Sequence, residues 1–192
     1  QPVSAVPKSR YLLFIALTGI GASLDLWTKS WAFAWLPPPT PTNPTSNTYW
    51  IWQDFFAIQT TVNQGALFGV GQGYSLAFAL LSVVAAIGIL WWLFISAAAK
   101  DLLLTISLGS IMGGIIGNLY DRLGLWHAAD VFVGHQNGVR DWILLTYQDR
   151  YHWPNFNIAD SLLMCGAGLV LWHAFTQPPE PEEKKEKEEK PE

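Results

Sequence analysis

Polar and apolar positions divide this chain into long uncharged runs separated by two segments of different character. Ser75–Ala99 is 25 residues without an ionisable group and Leu102–Tyr120 is 19 more, so each reaches the roughly 20 residues that cross a bilayer core of about 30 Å. Asn157–Phe175 is also 19 residues long, interrupted only by Asp160 in its first turn and His173 near its last. Tyr11–Leu24 offers only 14 uncharged residues, about 21 Å of helix at roughly 1.5 Å per residue. To cross, it must continue through Asp25 and Lys29. Lys8 and Arg10 before this run, with Gly21 and Ser23 beyond it, imitate a secretory signal peptide. The pattern nevertheless runs on through Trp27, Trp31 and Trp35, spaced like one helix face nearing an interface. Four spans are therefore predicted.

Between the first two spans, PPPTPTNPTSNT is a Pro/Thr/Asn linker, and it gives way to TYWIWQDFFAIQTTVNQGALFGVGQG. The aromatic and β-branched content of the latter predicts a small sheet at the membrane surface, over about residues 48–74. Pro178–Glu192 has almost no apolar residue and is expected to be disordered or a frayed helix. The predicted organisation is a cytoplasmic segment 1–10, a membrane domain 11–175 and a charged tail 176–192. The chain does not begin with Met, so its numbering is expected to follow a processed or engineered start. No internal repeat is evident, which counts against transporters built from inverted repeats.

Composition supports a membrane protein: 51% of residues are hydrophobic, 14% aromatic and 14% charged. The tail alone takes seven Glu and four Lys, so every acid before it is an Asp and the remaining net charge is near zero. Without a basic cluster there is no footing for nucleic-acid binding. Lys8 and Arg10 precede the first span while residues 37–74 contain neither Lys nor Arg, which predicts cytoplasmic termini and external segments at 37–74 and 121–156.

Several polar residues are candidates for chemistry. Asp25 and Lys29 sit four apart, so one helix face brings them together as an ion pair. Gly109, Gly113 and Gly117 form a stripe suited to close helix packing, which delivers Asn118, Asp121 and Arg122 to the external end of the third span. Asn157 and Asp160 have the spacing of a capping box. Asp141, in the second external segment, could be brought beside Asp160. Two carboxylates sharing a proton supply a general acid and a general base at once. His127 and His135 bracket Asp130 without HExxH or a Cys partner, too sparse a set for zinc. His152 and His173 read as interfacial polar residues. Cys165 excludes an intrachain disulfide and reads as a small buried thiol.

Five blocks, DLWTK (Asp25–Lys29), NQGALFG (Asn63–Gly69), GGIIGNLYDR (Gly113–Arg122), VRDW (Val139–Trp142) and FNIAD (Phe156–Asp160), together resemble the lipoprotein signal peptidases, also called signal peptidase II. The resemblance covers about residues 11–175. It implies a four-helix membrane bundle with a small extramembrane β-cradle, and an aspartyl peptidase of the bacterial inner membrane. Such an enzyme removes signal peptides from prolipoproteins, cutting before a diacylglyceryl-modified Cys. Carried over by motif, the catalytic dyad is Asp141 and Asp160. Asn63, Gly65, Asn118, Arg122 and Asn157 match positions that contact substrate or support the dyad, and Asp25, Lys29 and Asp121 match positions of more structural role. No metal or other cofactor is implied, and the enzyme is expected to act as a monomer among membrane lipids with its site at the outer leaflet. Two departures stand out: Trp142 replaces the usual Phe, and Leu123–Val139 is longer than expected. That insert holds Asp130 in AADVF, a second candidate for the first catalytic carboxylate.

Two other classes compete. A proton-coupled transporter would use Asp25, Asp121 and Asp160 as a relay, but the second and third spans carry no ionisable group to continue it. A membrane scaffold would dock through its charged tail, the acids serving only as caps.

Overall fold

In the computed structural model the described residues are 5–36, 45–65, 71–126, 137–148 and 150–176. Four helical stretches among them are long and apolar enough to span a membrane: α1 (Lys8–Trp35), α2 (Ser75–Leu90) together with its continuation to Ile95, α3 (Leu102–Arg122) and α4 (Ile158–Thr176). Helix α1 continues unbroken past Gly21 and Ser23 and through Asp25 and Lys29, unlike a cleavable leader that would end there. Helix α2 is shorter than its uncharged run predicts. It passes through a π-helical turn at Trp91–Ile95, and Ala97 then adopts a left-handed φ of 58° before a short 3-10 turn, Ala98–Lys100. Hydropathy sets how far a chain stays apolar, whereas this turn is needed to reverse it into α3. Asp101 caps α3 by accepting from the Leu104 amide at 2.8 Å, and its other oxygen lies 2.9 Å from His173 near the end of α4.

Most of α3 is buried, while α2 and α4 leave much of their surface facing outward. Glycine makes this central position possible. A Cβ on Gly113 would lie 3.3 Å from the Thr18 carbonyl oxygen, and one on Gly109 would lie 3.3 Å from Leu17. The stripe read from the sequence is thus the contact with α1, joined by a hydrogen bond from Thr18 Oγ1 to the Gly109 carbonyl. Gly114 faces α4 instead, where a Cβ would stand 2.5 Å from the Ala159 carbonyl oxygen. Backbone cannot yield there as a flexible side chain could. Gly114→Ala is therefore expected to destabilise the bundle by roughly 1–3 kcal/mol, read as a lower midpoint of thermal unfolding in detergent.

The sheet is larger than predicted. Strands β1 (Thr48–Trp52) and β2 (Phe56–Asn63) occupy the segment between the first two spans, where a sheet was expected, turning through Asp54 at φ 58°. The segment between α3 and α4 adds β3 (Val139–Tyr147) and β4 (Tyr151–His152), giving antiparallel order β1-β2-β3-β4. Thr61 pairs with Asp141 and Asn63 with Val139. Past Asp141 the strand bulges: the Phe156 carbonyl accepts from the amides of both Trp142 and Ile143, at 3.1 and 2.9 Å. The doubled bond ties the strand to the residues that lead into α4. Trp142 packs edge-on to Trp31 of α1, which stacks on Trp35, and Trp35 meets Tyr49 of β1. This aromatic seam seats the sheet on the end of the bundle.

Candidate active site

Strand β3 and the start of α4 bring Asp141 and Asp160 to one cavity of about 310 Å³. Its wall includes Asn63, Arg122, Leu145, Phe156, Met164 and Cys165. Asn157 and Asp160 form the capping box the sequence suggested. The Asp160 amide donates to Asn157 Oδ1 at 2.9 Å and the Asn157 amide to Asp160 Oδ2 at 3.2 Å. Capping and chemistry do not compete here, because the same box leaves the Asn157 side-chain Nδ2 to donate to Asp141 Oδ1, 2.7 Å away. Asn118 Nδ2 donates to the other oxygen of Asp160 at 2.9 Å. The carboxylates are thus linked through two asparagines, whose side chains meet at 3.2 Å.

The orientation of Asn118 follows from Lys29, which has donors only. Lys29 Nζ lies 2.9 Å from Asn118 Oδ1, so the carbonyl must face it and the amide must face Asp160. Lys29 also pairs with Asp25 at 2.7 Å and Asp121 at 3.2 Å, all three side chains being fully buried. Asp25 Oδ1 in turn accepts from the Ala159 amide at 2.8 Å, which fixes the first turn of α4 against α1. Asp25, Lys29 and Asp121 lie behind the cavity and touch it through Asn118.

Asn63 approaches from β2. Its Oδ1 accepts from the Gly65 amide at 2.9 Å and from Gln72 at 3.2 Å, which leaves its amide to bond Asp141. Gly65 closes this turn and accepts from Arg122 Nη2 at 3.4 Å, but it is not among the residues lining the cavity. Arg122 lines it, with its guanidinium 5.8 Å from the Phe78 ring. Burial pushes the Asp141 carboxyl well above the usual carboxylate range. The nearby Asp160 adds to that shift, against hydrogen bonds from Asn157 and Asn63 and the charge of Lys29.

Cys165 corrects its sequence reading. It is exposed and lines the cavity, because α4 turns much of its surface outward. Sequence reasoning also overlooked Arg140, which is buried and binds Asp121. A signal was present, since an arginine beside a candidate catalytic Asp needs an acidic partner if buried. Asp130, His127 and His135 lie outside the described residues. Among the described residues no group of three His, Cys, Asp or Glu is placed to hold a metal ion.

Known proteins resemble this chain along most of its length. The family model described as Signal peptidase (SPase) II matches residues 17–176. A lipoprotein signal peptidase of Rhodopirellula baltica is 50% identical over 172 residues, covering 90% of this chain and 75% of that one. One from Xanthomonas campestris pv. campestris is 30% identical over 177 residues, covering 90% and 95%. A solved bacterial membrane enzyme shares the fold with a TM-score of 0.66 at 25% identity, covering 92% of this chain and 94% of that chain. With four of the five motif blocks contributing residues to one cavity and the match running through all four helices, the chain belongs to the signal peptidase II family.

Proposed function

We propose that this chain is an aspartyl endopeptidase of the bacterial inner membrane. It removes signal peptides from prolipoproteins by cutting before a diacylglyceryl-modified Cys. The observation that carries this reading is the pair Asp141 and Asp160 at a largely apolar cavity beside α4. Such a wall suits a signal helix and acyl chains arriving sideways from lipid, and both termini are then cytoplasmic with the site at the outer leaflet. Asp141, the more deeply buried of the two carboxyls, is the acid, and Asp160 is the base. Asp160 takes a proton from water as the water oxygen bonds to the scissile carbonyl carbon, and Asp141 donates to the developing oxyanion. As the C–N bond breaks, the amine of the lipid-modified Cys leaves with a proton returned through the pair. Asn157 and Asn118 hold the two carboxyls in register, and Arg122 supplies positive charge at the wall. No metal takes part.

The test is cleavage of a diacylglyceryl-modified prolipoprotein by the purified protein in detergent, read as a gel shift. Cleavage against pH is expected to be bell-shaped. The raised proton affinity of Asp141 holds the acid form to higher pH than an ordinary carboxyl would, so the descending limb falls above the usual carboxylate range. The two apparent values belong to the pair. An unmodified, folded protein that leaves the substrate intact at every pH would remove this reading.

A further inference from the structure

Arg140 lies next to Asp141 in β3, yet its side chain turns away from the cavity. Its Nη2 and Nε reach Asp121 Oδ1 at 2.8 and 3.1 Å, and its own amide donates to Asp121 Oδ2 at 2.9 Å. The third guanidinium nitrogen, Nη1, donates to Ser30 Oγ at 3.2 Å, and the group sits 5.2 Å from the Trp126 ring. Arg140 is only 4% exposed and Asp121 fully buried. The charges facing this point are Asp25 and Lys29 from α1, Asp121 and Arg122 from α3, Asp141 from β3 and Asp160 from α4. Arg122 faces the cavity, so Asp25 and Asp121 are balanced behind it by Lys29 and Arg140 alone.

We infer that Arg140 is a positioning residue for the cleavage reaction: by neutralising Asp121 it leaves Lys29 free to hold Asn118, and through Asn118 it sets Asp160 relative to Asp141. This rests on the peptidase reading above. The chain of contacts is continuous, from Arg140 to Asp121, Lys29, Asn118 and Asp160. Without the guanidinium, Lys29 alone would face two buried carboxylates. Its ammonium would be drawn toward Asp121, and the bond that orients the Asn118 amide would weaken. A small displacement of a catalytic group is costly in rate, since misplacement of about 1 Å can cost on the order of 100-fold.

The experiment compares the unmodified enzyme with Arg140→Met, Arg140→Lys and the double variant Asp121→Asn/Arg140→Met, each assayed across pH in detergent and normalised to folded protein. Arg140→Met is expected to lower kcat about tenfold to 100-fold with KM nearly unchanged, the pattern of a lost transition-state arrangement. Its pH profile should move upward, because uncompensated negative charge favours protonated carboxyls. Arg140→Lys should recover part of the rate. The double variant should outperform Arg140→Met by removing the unpaired charge. A wild-type kcat and pH profile in Arg140→Met would overturn the inference. So would a loss that follows the folded fraction alone with no gain in the double variant, the mark of a simple brace. Infrared spectra of the protonated carboxyl groups, taken without substrate, provide a readout that does not require cleavage. A band unchanged between unmodified and Arg140→Met protein overturns the positioning role. Failure of the unmodified enzyme to cleave overturns the peptidase reading instead.

Discussion

Asp141→Asn and Asp160→Asn are each expected to lower cleavage of a diacylglyceryl-modified prolipoprotein by about 10³-fold or more, with folded yield little changed. General acid–base catalysis contributes on the order of 10² to 10⁴, and each substitution removes one of the two proton-handling groups. The amide is nearly the shape of the carboxyl it replaces, so the link through Asn157 and Asn118 survives in outline while the proton transfer does not. KM should change far less than kcat, because the dyad acts on the reacting carbonyl rather than on the helix and acyl chains that supply binding. Asp130→Asn is the necessary companion. It is expected to keep nearly full activity, and loss there with retention in Asp141→Asn would move the first catalytic carboxylate into the insert.

Lys29→Met has the other large expected effect, on stability and activity together. The ammonium sits 2.7 Å from Asp25 and 3.2 Å from Asp121 with no exposure to solvent. Removing one partner of a buried ionic cluster leaves uncompensated charge and costs roughly 3–5 kcal/mol. Thermal unfolding in detergent should shift down accordingly, and the fraction recovered as folded protein should fall. Activity per folded molecule should fall as well, since Asn118 loses the donor that fixes its amide. Lys29→Met with Asp25→Asn is expected to regain part of the stability but not the activity, which separates the two roles. An unfolding midpoint unchanged in Lys29→Met would show that the cluster contributes nothing to folding.

Much of the frame was legible in the order of residues. Uncharged runs marked α2 and α3, and the stretch opening at Asn157 marked α4, because crossing a bilayer demands length and apolarity that no soluble segment needs. The i,i+4 spacing of Asp25 and Lys29 foretold their pair, and Gly109, Gly113 and Gly117 foretold a close helix contact. The Asn157–Asp160 box was readable for the same reason: its two partners lie within one helical turn. These relations are local, so the regular geometry of a helix turns sequence spacing directly into distance.

Non-local relations were not readable. Val139–Tyr147 has no clean polar alternation, and its strand character comes from pairing with Phe56–Asn63 across a long separation in the chain. Which side of that strand meets the cavity depends on the bulge opposite Phe156, a backbone event with no residue signature. Cys165 looked like core because its neighbours on α4 are small and apolar, yet in a bilayer such a surface is as stable facing outward as inward. Arg140 gained meaning only when Asp121, nineteen residues earlier, was found within 2.8 Å. Residue order and spacing specify the four spans, the local cap and ion pair, and the identity of the polar blocks. That four of those blocks share one cavity, with a buried cluster of four charges behind them, follows only from the fold, because both depend on how helix packing and strand register close distances that spacing along the chain does not encode.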